Sequence, residues 1–274
     1  MNKTLHILFL LIFCLSKIEA QDTLIKENWY SRLAISYSKG SNKSLYQFDP
    51  LNQLSGQSFY STPSLGESIL INGGIGKMFT KNIGMEANFS YLMGNTLGLY
   101  NYNYTNNSLG TNKVSASTKN TQLLFLPTSI FKIDISKKLS PYIKVGLMIP
   151  MYNNSKFIYN VSDSTNASNY AEYEYEIKNQ LNIGINGCVG ISYKINDNIR
   201  IFFEAEEDNI RSFHTEANRT RATTGGSATI DNTVLEKYVF EKSLSINNTD
   251  ASKILDFPIS FNREAYTIGI NYFF

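Results

Sequence analysis

Apolar and polar residues alternate in segment after segment of this 274-residue chain, and this period restricts the fold more than any other feature. The last segment is the clearest, because large apolar side chains occupy every second position to the final residue: Tyr266, Ile268, Ile270, Tyr272 and Phe274. The positions between them hold mostly small or polar residues: Thr267, Gly269, Asn271 and Phe273. Successive side chains of a β-strand point to opposite faces, so the pattern predicts a strand with one apolar and one largely polar face.

Eight segments of this kind are predicted as strands: Tyr30–Ser38, Glu67–Thr80, Ile83–Met93, Thr121–Ile133, Pro141–Tyr152, Leu181–Tyr193, Ile199–Phe213 and Arg263–Phe274. Their connections alternate between short turns, at Lys81-Asn82, around Ser136-Lys137-Lys138 and at Asn196-Asp197, and long polar loops, at residues 39–66, 94–120, 153–179 and 214–262. This alternation is typical of outer-membrane barrels, whose closure pairs every backbone group that lipid cannot solvate. We predict an all-β fold, an eight-stranded antiparallel up-and-down transmembrane β-barrel with both termini in the periplasm.

Two segments leave alternatives open. The fourth strand is apolar at both parities from Leu123 to Leu126, so its facing is undetermined, and Pro127 removes one ladder hydrogen bond. The last long loop contains Thr233–Phe240, which has the composition of a further strand but carries charges that suit a lipid-facing wall poorly. A ten-stranded barrel is therefore the alternative.

The amino terminus has the pattern of a secretion signal. Lys3 precedes the apolar run Ile7–Leu15, and Ala20 ends a small-residue cleavage context, so we predict a signal peptide over residues 1–20 and one barrel domain over residues 21–274. A lipoprotein signal at Cys14 is the alternative, although Phe13 is large for the position before such a cysteine. After cleavage only Cys188 remains, which predicts a barrel-facing thiol and no intramolecular disulfide.

Composition and motifs exclude several function classes. The formal net charge is only +2 and no block of basic residues occurs, which argues against a nucleic-acid partner. Gly73-Gly74-Ile75-Gly76 is not followed by the lysine and helix of a phosphate loop. The acidic run Glu172–Glu176 lacks the spacing of a calcium loop. We expect no catalytic, cofactor-binding or metal-binding residues.

Charged residues fall on the polar face of several predicted strands. By parity they point into the barrel: Arg32, Glu86, Lys144, Arg200, Glu204 and Glu206. The lumen of an eight-stranded barrel is only wide enough for its own side chains, and a buried charge without a partner is very costly. We therefore predict an ion-pair network that closes the lumen. A path for protons or small ions, or a gate made by exchanging partners, is the functional alternative.

Tyrosines alternate in two of the long connections, at Leu99–Tyr104 and Glu172–Glu176. This pattern predicts that the barrel wall continues above the membrane as a ribbon whose tyrosine-rich edge is suited to binding. The alternative is the aromatic girdle at the membrane interface, and we favour the girdle for four tyrosines: Tyr91, Tyr142, Tyr193 and Tyr266.

Three stretches, Leu123–Ile133, Ser140–Leu147 and Tyr266–Phe274, carry a family resemblance. With them the chain resembles the small outer-membrane β-barrels of Bacteroidetes-type bacteria, which are porin-like and related in architecture to OmpA- and OmpX-type barrels. The resemblance implies that the barrel-assembly machinery recognises the closing strand through Tyr266, Ile268, Ile270, Tyr272 and Phe274. It implies no shared catalytic residues.

His214 is the only histidine after the predicted signal peptide. Hydrolytic outer-membrane barrels, such as lipid A deacylases and surface proteases, use a histidine near the outer rim, and Ser212 and Glu216 lie close to His214 in sequence. Sequence proximity does not place a nucleophile, base and orienting acid within hydrogen-bond reach. We therefore expect a solvent-exposed loop histidine.

The prediction for function is a non-enzymatic protein of the bacterial outer membrane with a structural, adhesive or recognition role. Its expected partners are outer-membrane lipid, the assembly machinery and an extracellular ligand bound through the loops at residues 94–120, 153–179 and 214–262. A narrow porin-like channel for ions or small solutes is the alternative. A surface lipid-modifying hydrolase is the third hypothesis, and it depends on His214.

Overall fold

The computed structural model describes residues 29–41, 44–46, 60–62, 65–106, 110–166, 168–180, 182–226, 234–241, 250, 252–255 and 259–274. The predicted signal peptide lies outside these ranges. All the elements within them are strands: β1 (Trp29–Gly40), β2 (Ser44–Tyr46), β3 (Tyr60–Thr62), β4 (Ser68–Met78), β5 (Ile83–Asn106), β6 (Gly110–Lys132), β7 (Leu139–Asp163), β8 (Tyr170–Gln180), β9 (Gly184–Lys194), β10 (Ile199–Asn209), β11 (Arg211–Gly225), β12 (Lys237–Glu241), β13 (Lys253–Leu255), β14 (Ile259–Ser260) and β15 (Arg263–Phe273). In the described part of the chain, no helix is long and apolar enough to span a membrane.

Eight of these strands pair into a closed antiparallel ring in the order β1, β4, β5, β6, β7, β9, β10 and β15. The ring closes where β15 returns to β1, in a register that runs from Tyr30 opposite Phe273 to Gly40 opposite Arg263. Each predicted strand lies on one strand of this ring, so the predicted all-β barrel is confirmed. One boundary was wrong: the seventh segment contains the end of β10 at Asn209 and the start of β11 at Arg211.

The three short turns share one hydrogen-bonding device. The Thr80 hydroxyl oxygen accepts the backbone N–H groups of Asn82 and Ile83, two and three residues further along. The side-chain oxygens of Ser136 and Asn196 accept hydrogen bonds at the same spacing in the other two turns. A local side-chain acceptor replaces the missing ladder bonds, which explains why Thr, Ser and Asn stand there. We call this end of the ring the turn end.

At the opposite end the wall continues well past the ring. β5, β6 and β7 have 24, 23 and 25 residues, and their distal halves pair with one another and, through β7, with β8. β11 pairs with β8, and β12 and β13 follow at the sheet edge. We call this sheet the extension. The predicted ribbon is thus present, whereas the prediction of loops over residues 94–120, 153–179 and 214–262 was wrong for most of their described residues.

The extension also contains the segment that the sequence offered as a further strand. A short strand, β12, does form within the Thr233–Phe240 segment and continues to Glu241, but it pairs with β11 in the extension and stays outside the ring. Among the described residues, the ring closes without β12.

A belt of exposed apolar side chains surrounds the ring. Its members come from seven of the eight strands: Leu33, Ile35, Tyr37, Ile69, Ile71, Ile75, Met85, Phe89, Tyr91, Met93, Ile143, Val145, Leu147, Ile185, Val189, Ile191, Tyr193, Ile201, Phe203, Tyr266, Ile268, Ile270 and Tyr272. On the eighth strand, the outward Phe125 ring of β6 packs 5.2 Å from that of Phe89. Proteins in water rarely expose a contiguous apolar patch of more than a few hundred Å². The outer face of the extension is charged instead, with Lys156, Glu172 and Glu176 on it.

The facing of β6, undetermined in the sequence, is decided by its neighbours. Leu124 and Leu126 point inward and are buried, so the odd-numbered residues from Leu123 to Pro127 face outward. In the register between β6 and β7, the pairs Phe125–Ile149 and Thr128–Gly146 are present, and the two pairs expected between them are interrupted. This interruption is what a proline without a backbone N–H produces.

Large aromatic rings fill the interior of the extension. Phe157, Tyr159, Tyr173 and Tyr175 are 0% exposed, and Tyr238 is 1% exposed. The Phe157 ring centroid lies 6.3 Å from those of both Tyr159 and Tyr175. Tyr175 is also 5.8 Å from Tyr238, and its hydroxyl donates to the Leu235 carbonyl at 2.8 Å. The extension therefore has a packed core of its own and is an ordered part of the fold.

Candidate functional site in the barrel lumen

Four charged side chains from four strands meet inside the ring. Glu204 of β10 accepts two hydrogen bonds from the Arg32 guanidinium of β1, at 2.9 and 2.5 Å. The Lys144 ammonium of β7 lies 2.7 Å from Glu86 of β5 and 2.6 Å from Glu204, so it joins the two acids. Arg32 also lies 3.9 Å from Glu86. We call these four residues the lumen cluster. All of them are at most 6% exposed.

Neutral donors complete the coordination of the two acids. The Tyr30 hydroxyl donates to Glu86 at 2.6 Å and the Tyr142 hydroxyl donates to Glu204 at 2.5 Å. The Asn88 amide adds a third hydrogen bond to Glu86 at 2.8 Å. Tyr142 therefore belongs to the lumen, and its assignment to the outer girdle was wrong. Lys144 faces inward and lies two residues further along the same strand, so the alternation could have predicted that Tyr142 also faces inward.

Two glycines make room for the tyrosine rings of the lumen. A β-carbon on Gly76 would lie 2.2 Å from the Tyr30 ring, and one on Gly190 would lie 2.5 Å from the Tyr142 ring. Each glycine is on the strand next to its tyrosine, so the ring lies flat against bare backbone. Glycine at these two positions permits the close approach of the tyrosine rings.

The lumen cluster has no net formal charge, because it contains two acids and two bases. Its Coulomb attraction acts in a buried space, where it offsets the desolvation of the four ions when their hydrogen bonds are satisfied. The Arg32 guanidinium also stacks on the Phe202 ring at 3.9 Å. The cluster thus crosses the lumen from β1 and β10 to β5 and β7 on the opposite side of the ring.

The other two predicted residues, Arg200 and Glu206, are not brought into the cluster. Glu206 accepts a hydrogen bond from the Thr267 hydroxyl at 2.5 Å. The Arg200 guanidinium lies over the Phe273 ring at 4.8 Å, near the turn end. Neither forms an ion pair with a described residue. The alternation of the sequence predicts correctly that both side chains face inward. They are separate from the lumen cluster because they lie at other levels along the barrel axis.

A second buried ion pair lies above the cluster and was missed. Arg263 and Asp208 are 3% and 1% exposed, and the Arg263 Nε donates to Asp208 at 2.6 Å. The Asn186 amide donates to the same carboxylate at 2.6 Å. The alternation of inward and outward positions could have predicted that both side chains face inward. Asp208 continues the inward series of Glu204 and Glu206 on β10. Arg263 continues the inward series of Ala265 and Thr267 on β15.

His214 is buried, so its prediction as an exposed loop residue was wrong. It is 5% exposed, its imidazole hydrogen-bonds the Asn179 side-chain oxygen, and its ring meets Phe240 edge-on at 5.1 Å. Burial lowers the pKa of the His214 imidazole to about 3, so the ring is neutral at neutral pH.

The contacts of the neighbouring residues do not assemble a hydrolytic triad around His214. The Ser212 hydroxyl donates to the Gln180 carbonyl at 2.9 Å. Glu216 forms ion pairs with Lys178 and Lys237, and hydrogen bonds from these two lysines lower the pKa of its carboxyl to about 2. Within the described residues, the three side chains are therefore directed to three different sets of partners.

The remaining predicted residues lie where their parity places them. Tyr91, Tyr193 and Tyr266 are exposed on the outer face, and Cys188 is buried inside. The residues of the predicted assembly signal are also exposed on that outer face: Tyr266, Ile268, Ile270, Tyr272 and Phe274. Among the described residues, no group of three His, Cys, Asp or Glu side chains is arranged to hold a metal ion.

No protein-family model matches the chain, and no curated protein does. Solved structures do match. The outer membrane protein OprG from Pseudomonas aeruginosa is 12% identical, with a TM-score of 0.47, over 90% of this chain and 96% of that chain. Outer membrane protein AlkL, in lipid bilayers, is 11% identical, with a TM-score of 0.42, over 93% and 94%. Neisserial surface protein A is 10% identical, with a TM-score of 0.39, over 90% and 97%. These neighbours are small outer-membrane β-barrel proteins.

Proposed function

We propose that this protein is a bacterial outer-membrane β-barrel with a closed lumen, which acts at the cell surface through its extension in a structural, adhesive or recognition role. The observation that carries the proposal is the filled interior: the lumen cluster crosses the ring and the aromatic core fills the extension. Because the described residues leave no wide path for a solute, we assign the activity to the outer surface. The narrower resemblance to OmpA- and OmpX-type barrels of Bacteroidetes-type bacteria stays a prediction.

The outer face supports a membrane location and an orientation. Exposed isoleucine, leucine, valine and aromatic side chains form the belt around the ring, and a lipid bilayer is the environment in which that belt is favourable. The belt ends where the charged face of the extension begins. Because outer-membrane barrels have short turns in the periplasm and long connections outside, we place the extension at the cell surface and both termini in the periplasm.

The proposed role is non-enzymatic and rests on surface chemistry. On the outer face of the extension, Arg221 forms ion pairs with Glu172 at 2.5 Å and with Glu174 at 3.6 Å. Such exposed pairs contribute little to stability but present a pattern of charge and hydrogen-bonding groups. We propose that an extracellular ligand is recognised here. The assembly machinery and outer-membrane lipid are the other proposed partners.

The closed lumen predicts that the refolded protein gives no steady current in a planar lipid bilayer. The ions of the lumen cluster would have to leave their partners to open a path, and breaking a buried ion pair is costly. Single-channel recording at moderate voltage tests this. A reproducible conductance step with ion preference would contradict the closed lumen and support the narrow-channel alternative.

The orientation predicts which end of the barrel is reached from outside an intact cell. Glu176 is exposed on the extension and Lys137 is exposed in a turn at the other end, so cysteines at these two positions form a matched pair. We expect a polymer-linked maleimide too large to cross the outer membrane to label Glu176→Cys and not Lys137→Cys. The native Cys188 is 6% exposed and gives the background. Labelling of Lys137→Cys alone would reverse the proposed orientation.

A further inference from the structure

The turn end of the ring has an excess of positive charge around an open cavity. The cavity has a volume of about 330 Å³, and four of its lining residues are cations, Lys81, Lys137, Lys194 and Arg200, against one acid, Asp134. It lies at the mouth of the lumen, beyond the lumen cluster. A molecule can therefore enter it from the turn end without passing through the barrel.

Asp134 offsets this charge only in part, because Lys132, which does not line the cavity, shares its carboxylate with Lys81. The Ser140 hydroxyl donates to its carboxylate at 2.5 Å, and the Lys132 and Lys81 ammonium groups lie 3.2 and 3.9 Å from it. Lys194 is paired with the exposed Asp197 at 2.5 Å. Lys137 and Arg200 form no ion pair with any residue in the described ranges, so they are the cations that remain for a ligand.

Arg200 stands in an environment that favours an anion. In the register of the sheet it is directly opposite Lys194 on β9, and like charges at directly opposed positions repel. Its guanidinium is held over the Phe273 ring at 4.8 Å. Its Nε is buried and has no hydrogen-bond partner among the described residues. A planar guanidinium fixed in this way presents donors in the geometry that binds phosphate oxygens in pairs.

We propose that the turn end of the barrel is a binding site for a phosphate oxyanion, held by Arg200 and Lys137 with support from Lys81 and Lys194. The ligand relieves the repulsion between Arg200 and Lys194. The same chemistry is available from soluble phosphate compounds and from the headgroups of anionic phospholipids. This site goes beyond the proposed surface role, since it lies at the opposite end from the extension.

The test is a titration of inorganic phosphate into the folded full-length protein in a nonionic detergent, followed by calorimetry. We expect saturable binding that weakens as sodium chloride is added, because the contacts are charged. Arg200→Gln is expected to weaken binding by about tenfold, the loss of a charge-assisted contact. Lys137→Gln lies in an exposed turn, is expected to fold normally and should weaken binding in the same direction.

The matched control is Lys119→Gln, which removes one positive charge from the exposed face of the extension, at the opposite end of the molecule. It should bind phosphate like the unchanged protein. Absence of saturable binding would overturn the proposal. So would equal affinities for all variants, or equal weakening by Lys119→Gln, since either result means that no local site exists.

Bilayer discs then distinguish the two sources of phosphate. We compare phosphate affinity in discs of phosphatidylcholine with that in discs containing phosphatidylglycerol. If the lipid headgroup occupies the site, phosphatidylglycerol will reduce the apparent affinity for phosphate, and Arg200→Gln will abolish this competition. If the site serves soluble compounds, the affinity will be equal in the two kinds of disc. Either result supports the site only if the titration in detergent has first shown binding that depends on Arg200.

Discussion

Replacement of Glu204 with glutamine is expected to lower the free energy of unfolding by about 3–5 kcal/mol, the cost of breaking a buried ion pair by removing one partner. Glu204 accepts two hydrogen bonds from Arg32 and one from Tyr142, and it lies 2.6 Å from the Lys144 ammonium. The neutral amide leaves two buried cations against the single charge of Glu86. The excess positive charge is buried, because Arg32 and Lys144 are at most 6% exposed, so it destabilises the folded barrel.

Denaturant unfolding of the protein in lipid vesicles measures this loss. Glu207→Gln is the matched control, because Glu207 is on the same strand and is exposed on the outside. Its substitution should change stability by about 0.5 kcal/mol or less. A loss of less than about 1 kcal/mol for Glu204→Gln would show that the cluster is not a tightly coupled ion-pair core.

A second variant separates charge imbalance from simple loss of contacts. Replacing both Arg32 and Glu204 with methionine removes one acid and one base, and it leaves the Glu86–Lys144 pair, which is 2.7 Å long, balanced. Buried pairs replaced together by apolar residues of similar volume are often tolerated. We expect the double variant to be more stable than Glu204→Gln, although it changes more atoms. The reverse order would contradict the charge argument.

Phe157→Ala is expected to have a comparable effect on the extension, about 3–5 kcal/mol, as large-to-small changes of buried aromatic residues do. The Phe157 side chain is 0% exposed and lies between Tyr159 and Tyr175. Phe157 itself lies outside the ring, because its part of β7 pairs with β6 and β8 in the extension. We therefore expect the extension to open locally while the ring remains folded.

Limited trypsin digestion detects local opening, since Lys156, Lys178 and Arg219 lie within paired strands of the extension. Trypsin should cut the peptide bonds that follow these three residues rapidly in Phe157→Ala and slowly in the unchanged protein. The ring strands should be protected in both proteins. Ile158→Ala is the matched control, because Ile158 is the next residue on the same strand, half-buried on the outer face. Equal cleavage of the two variants would mean that the aromatic core does not hold the extension together.

The two regions contribute differently to the proposed role. The lumen cluster closes the ring with ion pairs, whereas the extension is held by aromatic packing and presents a charged outer face. A variant that opens the extension without unfolding the ring would therefore keep the membrane part and lose the surface on which recognition is proposed. We expect Phe157→Ala to be such a variant, which would allow the surface role to be tested apart from assembly.

The ring could be predicted from the sequence because its determinants are local. The period of two in a segment such as Tyr266–Phe274 fixes which side chains face lipid. Turn residues such as Asn196 cap their own turns through bonds to residues two and three positions ahead. Parity also gave the inward facing of Arg32, Glu86, Lys144 and Glu204.

The register between strands decides which side chains meet and where along the barrel axis they lie. The periodicity of the sequence does not contain this register. Register decides that Arg32 meets Glu204, from the other end of the chain, and that Arg200 lies too near the turn end to join them. The ribbon was predicted from the sequence, but its packing was not, because Tyr175 packs against Tyr238, which comes from a distant strand. The sequence by itself determined the faces of the strands, through local geometry. Which faces meet, and at what height, was decided only when the distant strands paired.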